Sequence, residues 1–560
     1  MTSAISIGKQ DFASLRENHY FYVDKTDFIR QWWESGDDIT LITRPRRFGK
    51  TLNMSMLNCF FSRQYAEKGT IFEGLSIWKQ EKYRRLQGTY PVIFLSFADV
   101  KQNNYQDAVQ KIKNIIVDAY RQHRYLEQEE CFTQNEKQQM LEITEKMSDV
   151  TAQDALKNLS SYLNLLYGKK VLIFLDEYDT PMQEAYIHGY WDEFVGFMRS
   201  LFNATFKTNP YLERAVMTGI TRISKESVFS DLNNLTVITT TSDAYADCFG
   251  FKEEEVFQSL DQFGMPEKKD LVKQWYDGFC FGTHRDIYNP WSITNYLKEK
   301  KLRPYWAATS SNGLISKLLQ LASVNMKEEL EKLINRQQIV VNFDEQIIFG
   351  QLEQDESAVW SLLVASGYLK VEEIEYRGLT LEPWYSLSIT NLETVSMFSN
   401  MFKSWFAAAS ANYNEFIKAM LNGDVKAMNL YMNDIALATF SNFDAGKHAS
   451  ERSQPERFYH GFVLGLLVEV RDLYEVRSNR ESGYGRYDVI LIPRNLDRDA
   501  MILEFKVKET EEKTLQETVQ KALAQIEIKK YDAELKERGI PKERIRHYGF
   551  AFEGKKVLIG

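Results

Sequence analysis

The chain has 560 residues, a length that predicts about three or four domains at roughly 100–200 residues each. Hydrophobic residues make up 44% and charged residues 26%, so the core is large enough to fold without disulfides or structural metal ions. The net charge of -9 argues against a protein that coats a nucleic acid backbone, which requires a positive field, but it leaves room for a local basic cleft.

The first chemical motif lies in "LITRPRRFGKTLNMSML" at residues 41–57, where an apolar strand is followed by a basic loop and an amphipathic helix. A phosphate-binding loop has Gly, four residues, Gly, Lys and then Ser or Thr. Gly49, Lys50 and Thr51 fit this pattern, whereas Arg44 stands at the position of the first Gly. The stretch is either a nucleotide site that tolerates this change or a chance match in a basic turn.

Strands and helices alternate from the N-terminus to about residue 240. Buried strands are expected in "YPVIFLSFADV" (90–100), "KKVLIFLDEYDTP" (169–181) and "RAVMTGITRIS" (214–224), and polar helices in residues 105–166. This alternation predicts a parallel α/β sheet.

Two acidic residues, Asp176 and Glu177, end the most hydrophobic of these strands. Ligands of open α/β sheets bind at the carboxyl ends of the strands. We therefore expect Asp176 to hold Mg²⁺ with Thr51, Lys50 to carry phosphate, and Glu177 to orient or activate an attacking water. "GKT" and a strand ending in Asp-Glu each occur by chance, but both together, in this order, favour a nucleotide site.

The middle of the chain is predicted to be mostly helical. Residues 250–350 contain an aromatic, turn-rich connection, "WYDGFCFG" and "IYNPWS", and residues 356–389 suggest a helix followed by a hairpin, as in a winged-helix module. Residues 395–440 again have a helical pattern, and a polar linker follows. The predicted domains are 1–245, 246–440 and 441–560.

The second chemical motif is "YGRYDVILIPRNLDRDAMILEFKVK" at residues 484–508. Glu504 and Lys506 share one face of a strand because the strand period is two, and a hairpin could bring Asp488 beside them. Two carboxylates that hold Mg²⁺, with a lysine that orients water, suit phosphodiester cleavage. The alternative is a surface hairpin with a routine Glu–Lys pair. The predicted order of helix, three strands, long helix and final strand favours the site.

The cysteines are scattered singly, without a CxxC pair or a Cys/His cluster that would suggest zinc: Cys59, Cys131, Cys248 and Cys280. The N-terminus, "MTSAISIGKQDFASL", has no apolar stretch of signal-peptide length, and no apolar run approaches the roughly 20 residues of a membrane helix. We expect a cytoplasmic protein with reduced thiols and no membrane partner.

The motifs together resemble the prokaryotic AAA-ATPase-like family whose members end in a PD-(D/E)XK nuclease-like domain. The similar stretches cover nearly the whole chain: "YFYVDKTDFI", "TRPRRFGKTLNMSML", "FLDEYDTP", "TGITRISKESVFSDLNNL", "WYDGFCFG", "YNPWSI", "PYWAATSSN", "SGYL", "ERFYHGFVLGLL", "GRYDVIL" and "ILEFKV". The resemblance implies a multidomain α/β protein with a P-loop NTPase parallel sheet, a helical and winged-helix-like middle region, and a C-terminal restriction-endonuclease-like domain.

The resemblance also implies roles for individual residues. Thr218 or Arg222 would sense the γ-phosphate. ATP and Mg²⁺ would be held by residues of the loop and of the second motif: Arg47, Phe48, Gly49, Lys50, Thr51 and Asp176, with Glu177 as the catalytic carboxylate. The loop "RPRRFGKT", with Arg44, resembles this family's own version of the P-loop.

The nuclease pattern of the family maps onto Asp488, Glu504 and Lys506, with the two carboxylates as metal ligands. Tyr487 stands where the motif name has Pro. Other residues resemble accessory positions of such nucleases or could support the site: Glu456, His460, Gln525 and Tyr531.

Two functions fit these expectations. The first is an ATP-driven nuclease that acts on nucleic acid, DNA rather than RNA, and the intact Asp488, Glu504 and Lys506 set favours it. The second is a nucleotide-switched interaction protein whose nuclease-like domain binds without cutting, and the negative net charge favours it. Either protein could form oligomers.

Overall fold

The computed structural model describes residues 3–222, 229, 232–309, 313–345, 355–405, 410–443, 453–482, 485–509 and 511–560. The chain forms two compact units, residues 1–310 with 340–394, and residues 311–339 with 395–560. No helix in the described part of the chain is long and apolar enough to cross a membrane.

The first unit contains a parallel sheet with the strand order β2-β3-β4-β1-β5, as the alternation of strands and helices predicts. Every residue of β3 is buried, because the sheet is covered on both faces. The strands are β1 (Ile39–Thr43), β2 (Val92–Ser96), β3 (Val171–Asp176), β4 (Leu212–Gly219) and β5 (Leu235–Ile238).

Helices connect these strands, and several begin at a residue whose side chain caps them. Asn104 accepts a hydrogen bond from the amide of Asp107 at the start of α5, and Ser148 does so from Thr151 at the start of α7. The helices are α1 (Phe12–Glu17), α2 (Asp27–Ser35), α3 (Lys50–Phe61), α4 (Glu81–Leu86), α5 (Tyr105–Gln122), α6 (Gln134–Leu141), α7 (Asp149–Tyr167), α8 (Thr180–Ile187) and α9 (Trp191–Phe202).

A small antiparallel sheet with the order β6-β8-β7 follows in the same unit. The sequence predicts only turns around "WYDGFCFG", whereas the structure forms a hairpin there. Gly282 makes this hairpin turn at φ 54°, where a Cβ would lie 2.3 Å from an Asp243 oxygen. The elements are β6 (Phe251–Lys252), α10 (Glu253–Gln262), α11 (Lys269–Tyr276), β7 (Phe279–Phe281), β8 (His284–Tyr288) and α12 (Pro290–Glu299).

A three-stranded sheet with the order β10-β11-β9 lies next to a helix, which confirms the predicted combination of helix and hairpin. Two helices of the second unit, α13 (Gly313–Leu321) and α14 (Val324–Ile334), precede it in the chain. The elements themselves are β9 (Ile339–Asn342), α15 (Glu356–Ala365), β10 (Leu369–Arg377) and β11 (Glu382–Ile389).

The second unit has a five-stranded sheet with the order β12-β13-β14-β15-β16, in which only β14 and β15 run parallel. The final strand expected from the sequence is a pair of strands. Helix α16 (Leu392–Trp405) has its first three residues in the first unit and the rest in the second. The further elements are α17 (Ser410–Asn422), α18 (Val425–Phe443), α19 (Ser453–Glu469), β12 (Tyr474–Ser482), β13 (Gly485–Pro493), β14 (Ala500–Val507), α20 (Leu515–Lys529), α21 (Ala533–Glu537), β15 (Ile545–Glu553) and β16 (Lys556–Ile559).

Two asparagines of α18 bind β16 through both groups of their side-chain amides. Asn429 donates to the carbonyl of Ile559 and accepts from its amide, each at 2.8 Å. Asn433 does the same with Val557 at 2.8 and 3.0 Å. Four residues along a helix span about 6 Å and two along a strand about 6.6 Å, so the spacings match. Helix α18 thus takes the place of a neighbouring strand along β16.

Candidate nucleotide and metal sites

The loop between β1 and α3 has two residues with positive φ just before the helix. Gly49 precedes the first helical residue with φ 82°, a conformation that glycine adopts without strain. Arg47 also has a positive φ, 66°, which is uncommon for a residue with a side chain. The N-terminus of α3 therefore points its free amides toward the carboxyl edge of the sheet, where anions bind favourably.

Lys50 lies inside this loop. Its side chain is buried, and Nζ donates to the carbonyls of Arg44 and Pro45, each at 3.1 Å. The ammonium is thus held under the loop amides by the loop's own backbone. A lysine in this place can neutralise phosphate charge without a long rearrangement of its side chain.

Asp176 joins the loop to the centre of the sheet. One carboxylate oxygen accepts from the Thr51 hydroxyl at 2.7 Å, and the other accepts from the Thr218 hydroxyl at 2.5 Å. Burial raises the pKa of Asp176 above its ordinary value, and the charge of Glu177 adds to this effect. The structure therefore brings together three residues predicted from sequence: Asp176 on β3, Thr218 on β4 and Thr51 at the start of α3.

Glu177 occupies a strained backbone position beside Asp176, with φ 55°. Its Oε1 lies 3.9 Å from Nζ of Lys50, and its Oε2 accepts from the hydroxyl of Thr180 at 3.0 Å. The side chain is 23% exposed, in contrast to buried Asp176. A carboxylate in this place can contact water beside the loop.

Arg44, which replaces the first glycine of the usual loop, is fully buried and anchors the loop. Its guanidinium donates to the carbonyls of Thr43 at 2.9 Å, Thr239 at 2.6 Å and Ala244 at 3.3 Å. It also lies over the Phe281 ring, 4.5 Å from the centroid. Burial lowers the pKa of Arg44 to about 9. The arginine thus fixes the loop to the segment that follows β5.

The other loop residues contact four aromatic residues and one asparagine, which we call the loop bracket: Phe279, Phe281, Asn289, Trp291 and Trp306. The Phe48 ring lies 4.7 and 5.3 Å from the two phenylalanine rings, and the Arg47 guanidinium lies 4.4 Å from the Trp291 ring. The carbonyl of Arg46 accepts from Asn289 at 3.3 Å and from the Trp306 indole at 3.1 Å.

The bracket explains why aromatic, turn-rich motifs occur far from the loop in sequence. Phe48 contributes packing through its side chain, so only its backbone amide is available to a phosphate. These bracket residues were not predicted from the sequence as part of the site. The signal was the density of aromatic and turn residues in "WYDGFCFG", "YNPWSI" and "PYWAATSSN".

The two residues expected to sense the γ-phosphate differ in their placement. Thr218 contacts Asp176 directly, at the end of β4. Arg222 is half-buried three residues beyond that strand, and its side chain forms no hydrogen bond with the described residues. The geometry therefore connects Thr218, but not Arg222, to the loop.

The nuclease-like motif forms a second cluster of polar side chains on the other unit. Strands β13 and β14 pair antiparallel with Val489 opposite Leu503, which places Asp488 beside Glu504. A carboxylate oxygen of Asp488 accepts from the amide of Phe505 at 2.7 Å. The predicted hairpin is therefore present, with both carboxylates on adjacent strands.

Glu504 is only 2% exposed, and Gln525 on α20 donates to its Oε1. Its Oε2 is buried without a hydrogen-bond partner among the described residues. Burial and the charge of Asp488 raise the pKa of Glu504, whereas the charge of Lys506 lowers it. An unpartnered carboxylate oxygen next to a second carboxylate suits a hard cation such as Mg²⁺.

The accessory residues fall into two groups. Gln525 also donates to the Tyr531 hydroxyl at 3.1 Å, so both lie beside Glu504. The side chains of Glu456, His460 and Tyr487 lie outside the described residues, although each belongs to α19 or β13. One contributor that the sequence analysis missed is Tyr459, whose hydroxyl donates to the carbonyl of Asp488 at 2.9 Å.

Two regions of the chain match known protein families. Residues 6–229 match the family model for predicted AAA-ATPases, and residues 454–560 match that for the PD-(D/E)XK nuclease superfamily. The chain is 24% identical over 550 residues to a protein of Azotobacter chroococcum mcd 1 described as "Uncharacterized protein in vnfD 5'region". This alignment covers 96% of the chain and 94% of the relative.

Proposed function

We propose that the chain hydrolyses ATP in its predicted AAA-ATPase region. We also propose that its C-terminal PD-(D/E)XK nuclease superfamily domain cleaves nucleic acid, DNA rather than RNA. The observation that carries the ATPase proposal is the contact of Asp176 with Thr51 and Thr218 beside the buried Lys50. A threonine after the loop lysine and an acidic residue at a strand end are the groups that hold Mg²⁺ in P-loop enzymes.

Each residue of the nucleotide site has a separate task in this proposal. The amides of Arg47 to Gly49 and the ammonium of Lys50 bind phosphate oxygens, while Thr51 and Asp176 would hold Mg²⁺. The metal would neutralise charge on the phosphates. Glu177 orients water and accepts its proton, since it is the more exposed carboxylate beside the loop.

The nuclease-like site has a similar division of tasks. Asp488 and Glu504 would hold Mg²⁺, which would stabilise negative charge at the phosphodiester. Lys506 orients water or stabilises the charged transition state. Gln525 keeps the Glu504 carboxylate in place through its hydrogen bond, and the Tyr531 hydroxyl accepts a second hydrogen bond from Gln525. The buried, unpartnered oxygen of Glu504 supports the metal site.

Two variants test the ATPase proposal. Lys50→Ala should weaken ATP binding by about tenfold or more, because a charge-assisted contact is lost. Glu177→Gln should keep ATP binding and lower turnover by roughly a hundredfold, since it keeps the shape and removes the base. Calorimetry gives the affinities and phosphate release gives the rates. Unchanged binding by Lys50→Ala would rule out this loop as the phosphate site.

The nuclease proposal is tested with mixed DNA and RNA in the presence of Mg²⁺ and ATP. Asp488→Ala and Lys506→Ala should abolish cutting and keep ATP turnover, because the two sites use different residues. Lys508→Ala is a matched control, since this lysine pairs with Glu553 instead. Equal cutting by the parent and all variants would indicate a contaminating nuclease.

The second candidate function is a nucleotide-switched interaction protein whose C-terminal domain binds without cutting. The net charge of -9 favours it, because nucleic acid is repelled by a negative field. ATP-dependent binding of nucleic acid or protein by an intact chain, without any cutting, would support this function.

Location and assembly complete the proposal. We place the protein in the cytoplasm, because its four cysteines are unpaired and a reducing compartment keeps them so. Oligomer formation is compatible with a predicted AAA-ATPase, and light scattering with and without ATP would detect it.

A further inference from the structure

Asp179, which lies two residues beyond Glu177, is a buried carboxylate with no task in the proposed chemistry. It is fully buried. Its Oδ2 accepts from the amides of Ile220 at 3.0 Å and Thr221 at 2.8 Å, and from the Thr221 hydroxyl at 2.8 Å. These three donors belong to the segment that follows β4, and a fourth donor, the side-chain amide of Gln183, lies on helix α8.

Tyr178, the neighbour of Asp179, also joins the segment after β3 to the segment after β4. The amide of Tyr178 donates to the carbonyl of Thr218 at 2.9 Å, and its hydroxyl donates to the carbonyl of Thr221 at 2.7 Å. Gly219 is required between these contacts, because a Cβ there would lie 2.6 Å from Oδ1 of Asp179 and from the Tyr178 ring. We call the contacts of Tyr178 and Asp179 with residues 218–221 the strand-end clasp.

Stability alone is a weak reason for such an arrangement. The second oxygen of Asp179, Oδ1, is buried and has no hydrogen-bond partner among the described residues. A buried carboxylate with an unpartnered oxygen is costly, and a well-packed apolar residue is often equally stable or more so. The contacts instead fix one piece of backbone against another within the nucleotide site.

We infer that Asp179 is a positioning residue, which uses the strand-end clasp to hold Thr218 and the segment beyond it in register with Glu177. This inference rests on the proposed ATPase function. Glu177 and Asp179 are separated by one residue, and Thr218 lies three residues before Thr221, so the clasp ties the proposed base to the residue that contacts Asp176. Catalytic groups must be held within about 0.5 Å of their working geometry.

The clasp can be loosened without removing the buried carboxylate. Thr221→Val keeps the shape of the side chain and removes its donor to Asp179, whereas Thr221→Ser keeps the donor. Gln183→Leu is the matched control, because Gln183 donates to the same oxygen at 3.0 Å from helix α8. Removing Asp179 itself is less informative, since the variant could fail to fold.

Steady-state ATP turnover shows whether Asp179 positions the proposed catalytic residues or only packs the fold. We expect Thr221→Val to lower kcat about tenfold, the effect of roughly 1.4 kcal/mol on the barrier, with KM for ATP within about twofold of the parent. Thr221→Ser should restore kcat, and Gln183→Leu should leave it within about twofold. Melting temperatures of Thr221→Val and Gln183→Leu should fall by similar amounts.

Two results would overturn the inference. Equal loss of kcat in Thr221→Val and Gln183→Leu, or no loss in either, would show that Asp179 only packs the fold. A parent protein that neither binds nor hydrolyses ATP would contradict the proposed function first and the inference with it. Assays of the parent protein alone test the ATPase proposal, and comparison of the variants tests the positioning role of Asp179. The failure of one can therefore be distinguished from the failure of the other.

Discussion

A buried arginine holds the phosphate-loop candidate at the position where such loops ordinarily have glycine. Glycine there permits a tight turn, whereas Arg44 forms hydrogen bonds to three carbonyls and contacts an aromatic ring. Glycine and Arg44 therefore act differently: glycine permits the loop conformation, whereas Arg44 holds the loop in one conformation. The motif therefore differs from the usual one for a physical reason visible in the contacts of a single side chain.

Arg44→Gly should harm the protein although it restores the usual motif. Three carbonyls would lose a charged donor and a cavity would form, so we expect a loss of about 2–4 kcal/mol in stability and weaker ATP binding. Denaturant unfolding and calorimetry measure the two effects. Arg46→Ala is the control, because Arg46 contacts the bracket through its backbone carbonyl. A variant as stable as the parent would contradict the anchoring role.

We expect Glu393 to make the free energy of unfolding depend on pH. It is fully buried, accepts from the Ser292 hydroxyl at 2.7 Å and the Trp306 amide at 3.1 Å, and burial raises its pKa from 4.5 to about 7. Between these values the folded state keeps a proton that the unfolded chain has lost. Unfolding then releases a proton, so stability falls as pH rises.

We expect this residue to contribute a decrease on the order of 3 kcal/mol between pH 4.5 and 7. Glu393→Gln cannot ionise and should lack that contribution. Denaturant unfolding at several pH values compares the two proteins. If the difference between parent and variant does not change with pH, Glu393 does not titrate in this window.

At the scale of the elements, local patterns predicted the strand, loop and helix of the candidate nucleotide site, but not the residues that surround it. The apolar run before the loop and the Asp-Glu at the end of β3 are local signals. The loop bracket contacts Arg46 from residues 243 and 260 positions away, and no periodicity encodes such pairs. Hairpin β7–β8 was missed because its strands have three and five residues, too few for alternation to be recognised.

The bracket should support nucleotide binding as an element. Trp306→Phe removes the indole donor to the Arg46 carbonyl and keeps most of the ring, so we expect a loss of about 1 kcal/mol in stability and ATP binding weaker by a few fold. Calorimetry with ATP measures the affinity. Trp275→Phe, which lies outside the bracket, is the control. Identical ATP affinities of Trp306→Phe and Trp275→Phe would show that the loop bracket does not support ATP binding.

At the scale of the whole molecule, the second compact unit begins well before the nuclease-like motif. It includes residues 311–339 and 395–560, whereas the family match begins at residue 454. The sequence suggested a boundary at residue 441 because a polar linker lies there. The contacts of helix α18 could not be predicted, since an asparagine on a helix gives no sign of the strand that it will bind.

Fragments can test the predicted boundary at residue 441. A fragment of residues 395–560 keeps Asn429 and Asn433, and a fragment of residues 441–560 lacks them together with helices α16 to α18. We expect the longer fragment to be the more stable one, since four hydrogen bonds to β16 are retained. Hydrogen exchange at the amides of Val557 and Ile559 reports the loss directly. Equal protection in both fragments would support the boundary at 441.

The asparagines of α18 also bear on self-association. β16 is an edge strand of its sheet. An uncovered edge strand has unpaired amides and carbonyls that can pair with another polypeptide, and sheets aggregate in this way. Natural proteins often defend such a strand with charge, proline or a bulge. Here two neutral amides on a helix occupy the outward groups of Val557 and Ile559. Loss of the Asn429 and Asn433 side chains would leave β16 free to pair with a second copy of the chain. These two side chains would then determine the solubility of the protein.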